Sequence, residues 1–160
     1  MCGINGVVGL NNISEVLFQG IRNLEYRGYD SCGIALMNKN NLEVRKNTGG
    51  VEEFFLKGNI TSAKGKTGIA HTRWATHGSK TTINSHPHVS VNGKVSLVHN
   101  GIIENYKALK EILKTDCISE TDSEVLVHLI EHYYNIQIGE PIEKMTKTLE
   151  IVTNMLEGTW

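Results

Sequence analysis

Cys2 is the first residue able to do chemistry. The chain opens Met1-Cys2-Gly3-Ile4, and the initiator Met is commonly trimmed before a small second residue. Cys2 would then carry a thiol and a free α-amine together. A free thiol titrates near ~8.5 and an α-amine near ~7.7–8.0. One residue thus combines a strong nucleophile with a base usable at cellular pH, the logic of an N-terminal nucleophile. Chance alone also puts Cys at position 2 of many proteins. Three further segments are dense in functional groups: residues 27–33, 71–78 and 99–101. Arg73 could grip a carboxylate with paired hydrogen bonds or make a surface ion pair. Asn100-Gly101 could offer a side-chain and a backbone N–H to a developing oxyanion, or form an ordinary turn. Asp122, at a helix start, could bind an ammonium group or simply complement the helix dipole.

Three other patterns are weaker. Gly65-Lys66-Thr67 looks like the tail of a phosphate-binding loop, but that motif needs glycine at position 60, which is Ile60. His128-Leu129-Ile130-Glu131-His132 matches the H-x-x-E-H string of inverted zinc peptidases. Its third ligand would have to come from Glu143, Glu150 or Glu157, and a solvated helix face explains it as well. His86-Pro87-His88 has no partner cysteine or carboxylate cluster and reads as structural. No metal and no cofactor is expected.

The elements that must hold these groups follow from local pattern. Ile4 to Leu10 reads as a buried strand, placing Cys2 at the start of a rigid element. Ser14 is placed to cap a helix running to about Tyr26, with Val16, Leu17, Ile21 and Leu24 on one face. Residues 34–38 and 42–47 form a hairpin, and 51–57 a short helix. Thr67 to Arg73 is a strand, and 74–85 a loop. Asn92-Gly93 turns a second hairpin between 89–91 and 94–98. The last third is helical: 105–113, a helix behind the capping box Thr121-x-x-Glu124, and a final helix from Pro141 to Met155 that Gly158 is suited to end. Strands joined by hairpins, then helices, make an α+β chain with antiparallel pairing.

The 160 residues suit one domain with a real core. The 16 basic and 17 acidic residues leave a net charge of −1, which gives no case for nucleic acid or an acidic membrane surface. No apolar run is long enough to span a bilayer, and no signal peptide is seen. Three sparse cysteines, Cys2, Cys32 and Cys117, fit a reducing cytosol, so the expected location is cytoplasmic.

Taken in order, Cys2-Gly3-Ile4, Arg27-Gly28-Tyr29-Asp30-Ser31, His71-Thr72-Arg73-Trp74-Ala75-Thr76-His77-Gly78, His86-Pro87-His88, His99-Asn100-Gly101-Ile102-Ile103-Glu104-Asn105 and Glu120-Thr121-Asp122 resemble a known family. The chain is similar throughout to the class II glutamine amidotransferases, and within them to the glutaminase domain of glutamine–fructose-6-phosphate aminotransferases. The resemblance implies an N-terminal-nucleophile fold, a four-layer α-β-β-α sandwich of antiparallel sheets. It implies that Cys2 attacks the amide of L-glutamine, with its α-amine as base. Asn100 and Gly101 would hold the oxyanion, Arg73 the α-carboxylate and Asp122 the α-ammonium. Trp74, Thr76 and His77 would line the pocket and its covering loop, and Arg27 would support the terminus. Ammonia would pass to a sugar isomerase domain or subunit that uses fructose 6-phosphate, in an enzyme expected to be dimeric. In the family a strand begins near Gly158-Thr159-Trp160. Residues 1–160 are therefore expected to form an incomplete amidotransferase domain, truncated on its C-terminal side, that is marginally stable or self-associated alone. A non-catalytic remnant and the zinc peptidase are the competing readings.

Overall fold

In a computed structural model the described residues are 2–9, 13–57, 60, 65–75 and 78–160. The first half builds one antiparallel sheet. β1 (Gly3–Val8), β2 (Ser31–Asn38), β3 (Asn41–Thr48) and β4 (Thr67–Arg73) lie in the order β1-β4-β2-β3. β2 and β3 are joined by a two-residue turn in which Lys39 adopts a left-handed φ of 55°, the twist such hairpins require. β4 sits centrally, paired to β1 on one side and β2 on the other.

Helices α1 (Ile13–Asn23) and α2 (Val51–Lys57) cover one face of this sheet. The α1 stripe Ile13, Leu17, Phe18 and Ile21 is buried against Ile34, Leu36 and Ala70, and the Phe18 ring stacks on Phe55. This spacing is that of an amphipathic helix with one apolar side. Ser14 does not cap α1. It lies inside the helix, buried, with no partner for its hydroxyl among the described residues. The helix also ends earlier than expected, at Asn23, and a short 3-10 turn, Glu25–Arg27, carries the chain to Gly28.

The second half is built from short strands and long helices. β5 (His88–Val89) pairs with β6 (Ser96–Leu97), and β7 (Ile102–Ile103) with β8 (Gly158–Thr159). Helices α3 (Tyr106–Leu113), α4 (Asp122–Ile136) and α5 (Pro141–Met155) pack behind them around Leu109, Val125, Leu129 and Val152. The free face of the large sheet meets the β5–β7 segments, where Gly33 lies so close to the His86 carbonyl that a Cβ would sit 2.3 Å from it. The layers therefore run α, β, β, α.

Two further sequence expectations fail because other contacts claim the residues. The capping box at α4 is diverted: Thr121 Oγ1 bonds His88 Nε2 at 2.9 Å, and the Glu124 carboxylate accepts the N–H groups of Ile118 and Ser119. Gly158 does not end α5, whose cap is Leu156. It enters β8 with φ of 118°, where a Cβ would lie 2.2 Å from the Ile102 carbonyl oxygen.

Candidate active site

Strand alternation aims the site. Along β4, Gly68 and Ala70 face the helices, so the intervening His71 and Arg73 face the second β layer. Gly3 of β1 is registered with Thr72 of β4, which brings Cys2 beside the end of β4. The Trp74 N–H donates to Cys2 Sγ at 3.2 Å, which fixes the sulfur beside the end of β4. The Cys2 carbonyl accepts from Arg27 Nε at 3.4 Å and from Asn100 Nδ2 at 3.2 Å.

Asn100 is fixed at both ends of its amide. Its Oδ1 accepts from His71 Nε2 at 2.8 Å. Burial pushes the His71 imidazole down to about 4, so the ring is neutral and its single N–H must be on Nε2. That tautomer turns the Asn100 amide nitrogen toward Cys2. Beyond it, Gly101 is crowded: a Cβ would lie 2.0 Å from the Thr159 carbonyl and 2.7 Å from His99 Nε2. Only glycine leaves the backbone there in contact with β8.

Arg73 is 5% exposed, with Nη1 donating to the Ser79 carbonyl at 3.2 Å. Burial opposes its charge, and the fields of Asp30, Glu120 and Asp122 help to hold it. Residues 75, 79 and 80 beyond it are held by acidic side chains. Asp30 accepts the Ala75 N–H at 2.8 Å and the Lys80 ammonium at 2.5 Å, while Glu120 accepts the Ser79 N–H at 2.8 Å. Trp74 stands half exposed, edge-on to Tyr29. Thr76 and His77 lie outside the described residues. Asp122 opens α4, and its Oδ2 accepts the Ile103 N–H at 2.7 Å.

Cys2, Arg27, Arg73, Trp74, Asn100, Gly101 and Asp122 all wall one cavity of about 640 Å³. Of the nine site residues expected from sequence, the seven that are described meet there. The sequence reading gave no role to His71, His99, Asp30, Glu120 or Thr159. His71, His99 and Thr159 line the cavity while bonding its other walls, and Asp30 and Glu120 stand outside it and hold the backbone after Arg73. The histidine spacing was visible, but the strand register that stacks His71 on His86, ring centroids 4.3 Å apart, was not.

The H-x-x-E-H string does not converge. Glu131 accepts the Asn92 N–H, and His132 is exposed against Tyr133. His86 and His88 are buried in the seam between the two β layers, where His86 Nδ1 accepts the His99 N–H. Burial holds both below the usual imidazole range, His88 at about 3, so both are neutral.

Comparison with known proteins agrees with this geometry. The chain is 46% identical over 154 residues to glutamine–fructose-6-phosphate aminotransferase [isomerizing] of a Streptococcus agalactiae serotype V strain, covering 95% of this chain and 25% of that protein. It is 47% identical over 162 aligned positions to the protein of the same name from Staphylococcus aureus strain Mu50, covering 100% of this chain and 26% of that one. The chain thus spans about a quarter of the length of the curated relatives it matches. Among solved structures, the glutamine phosphoribosylpyrophosphate amidotransferase of B. subtilis, complexed with ADP and GMP, superposes with a TM-score of 0.82 at 28% identity, over 98% of this chain and 33% of that one. An allosteric regulatory enzyme of purine biosynthesis gives a TM-score of 0.84 at 29% identity, over 98% of this chain and 34% of that one. The sequence profile of the glutamine amidotransferase domain matches residues 57–141, more than half of the chain, and the chain belongs to that family.

Proposed function

We propose that this chain hydrolyses the side-chain amide of L-glutamine through a Cys2 thioester. One observation carries the reading: a nucleophile, a buried guanidinium, an oriented amide and a carboxylate wall the same cavity. Arg73 takes the α-carboxylate and Asp122 the α-ammonium, which aims the amide carbon at Sγ. The α-amine of Cys2, freed by loss of Met1, accepts the thiol proton as sulfur attacks. Asn100 Nδ2 carries two N–H groups. With one on the Cys2 carbonyl, the other serves the oxyanion beside the Gly101 N–H. The amine then returns the proton to the departing nitrogen, ammonia leaves, and water cleaves the thioester to glutamate and free thiol. Trp74, with Thr76 and His77, would form the cover.

The other thiols are poor candidates. Burial pushes Cys32 up to about 12, and burial with the nearby Glu124 raises Cys117. Within a longer enzyme of the kind its relatives represent, residues 1–160 would be the N-terminal part of the glutaminase domain. The ammonia would go to a sugar isomerase domain or subunit acting on fructose 6-phosphate, in a cytoplasmic dimer.

The test is glutamate release from glutamine by chain whose intact mass starts at Cys2. Cys2→Ala should abolish release, and Cys32→Ala should retain it. Wild-type chain that is folded but releases no glutamate would mark a non-catalytic remnant instead.

A further inference from the structure

Cys117, Glu124 and His128 form a cluster in which one ligand atom from each lies within 4.8 Å of the other two. Glu124 and His128 stand one turn apart on α4, and Cys117 comes from the segment that leads into that helix. None of the three lines the Cys2 cavity. Glu124 and His128 are buried and Cys117 is half-buried, so an ion has a way in.

The set is imperfectly satisfied as it stands. His128 Nε2 reaches Glu124 Oε1 only at 3.4 Å, the long end of a hydrogen bond. The Nδ1 of the same ring is buried with no partner among the described residues. Glu124 is oriented from behind, with the Ile118 and Ser119 N–H groups on its two oxygens at 2.9 and 2.6 Å. Outer hydrogen bonds of this kind are what hold ligating carboxylates in place. Oε2 keeps a second lone pair, and the second position on Oε1 is taken only by the long His128 contact.

We propose that Cys117, Glu124 and His128 bind one zinc ion, with water in the fourth position. Tetrahedral zinc with bonds of ~2.0–2.3 Å holds its ligand atoms ~3.3–3.8 Å apart, so a shift of about 1 Å closes the site. Thiolate and imidazole favour zinc over calcium or magnesium, which want oxygen. A thiolate and a carboxylate cancel the double charge, which suits a buried ion. Binding releases the thiol proton to solvent, so affinity rises with pH. The bound ion would tie the 117–119 segment to the helix that begins with Asp122. This site shares only His128 with the H-x-x-E-H string, whose other two members face elsewhere.

Cobalt(II) reports on this directly, because a thiolate ligand gives a charge-transfer absorption. Metal-free chain titrated with cobalt should develop that band at one equivalent, and zinc should displace it. Cys2→Ala should keep the band and Cys117→Ala should lose it. His128→Gln, which keeps the side-chain size close, should weaken cobalt at least tenfold. Zinc should raise the melting temperature of wild type but not of Cys117→Ala. A wild-type titration without a thiolate band, a band that survives Cys117→Ala, or one lost in Cys2→Ala would overturn the proposal.

Discussion

The two faces of the four-stranded sheet are made of different materials. Toward α1 and α2 the contacts are apolar: Leu17, Ile21, Ile34, Leu36, Phe54 and Ala70. Toward the second β layer they are polar: His71, His86, His88, His99 and Asn100, joined by hydrogen bonds and ring stacking. β4 presents both within four residues, Ala70 and Thr72 to one side, His71 and Arg73 to the other. Apolar adhesion is strong but has no direction. It can hold a sheet without placing an atom. The polar seam adds direction: the bonds from His71 to Asn100 and from Asn100 to the Cys2 carbonyl specify where Asn100 and Cys2 lie, although His71 Nδ1 has no partner among the described residues. The scaffold face supplies stability and the seam supplies aim.

That division can be broken from either side. Leu17→Ala, on the apolar face at 0% exposure, should cost about 2–5 kcal/mol of stability in urea melts. Turnover per folded molecule should stay near wild type. Asn100→Ala, on the seam, should act mainly on turnover. It should lower kcat by about 10²–10³ with little change in KM, at a stability cost of about 1–3 kcal/mol because the buried His71 N–H loses its acceptor. A large KM effect instead would assign Asn100 to substrate capture.

Acid separates the faces more gently. His71 and His88 are held at about 4 and 3 in the fold, against ~6.5 for a free imidazole. Below pH ~6.5 the unfolded chain therefore takes up protons that the folded chain refuses, and stability falls as pH falls. Each such histidine contributes at most about 1.4 kcal/mol per pH unit, and about half of that near pH 6.5. His71→Gln should flatten that slope in melts at pH 7, 6 and 5, and an unchanged slope would mean that His71 does not titrate in this way.

How much of this was legible beforehand depends on range. Thr67–Arg73 and Pro141–Met155 appear with the bounds expected, the second because Pro141 is a local start signal. The Asn92-Gly93 hairpin was legible as a turn but not in length. Ser90 Oγ accepts the Val95 N–H and Asn92 Oδ1 accepts the Lys94 N–H, so side chains take positions that were read as strand. Ser14, Thr121 and Glu124 have the right residue types for caps, but burial takes Ser14, a distant histidine takes Thr121, and the N–H groups just before the helix take Glu124. For the site, the residue types of the motifs are readable, but the bonds between them are not: the His71–Asn100 bond spans 29 residues and depends on strand register, although both residues line the cavity.

The central claim is that Cys2, and neither other thiol, is the nucleophile for a glutamine side chain. A glutamine analogue with an electrophilic carbon in place of the amide tests it most directly, read by peptide mass spectrometry. The account predicts one adduct per chain, on a peptide beginning at Cys2, and protection by excess glutamine. An adduct on Cys32 or Cys117, or labelling of Cys2 that glutamine does not slow, would contradict it.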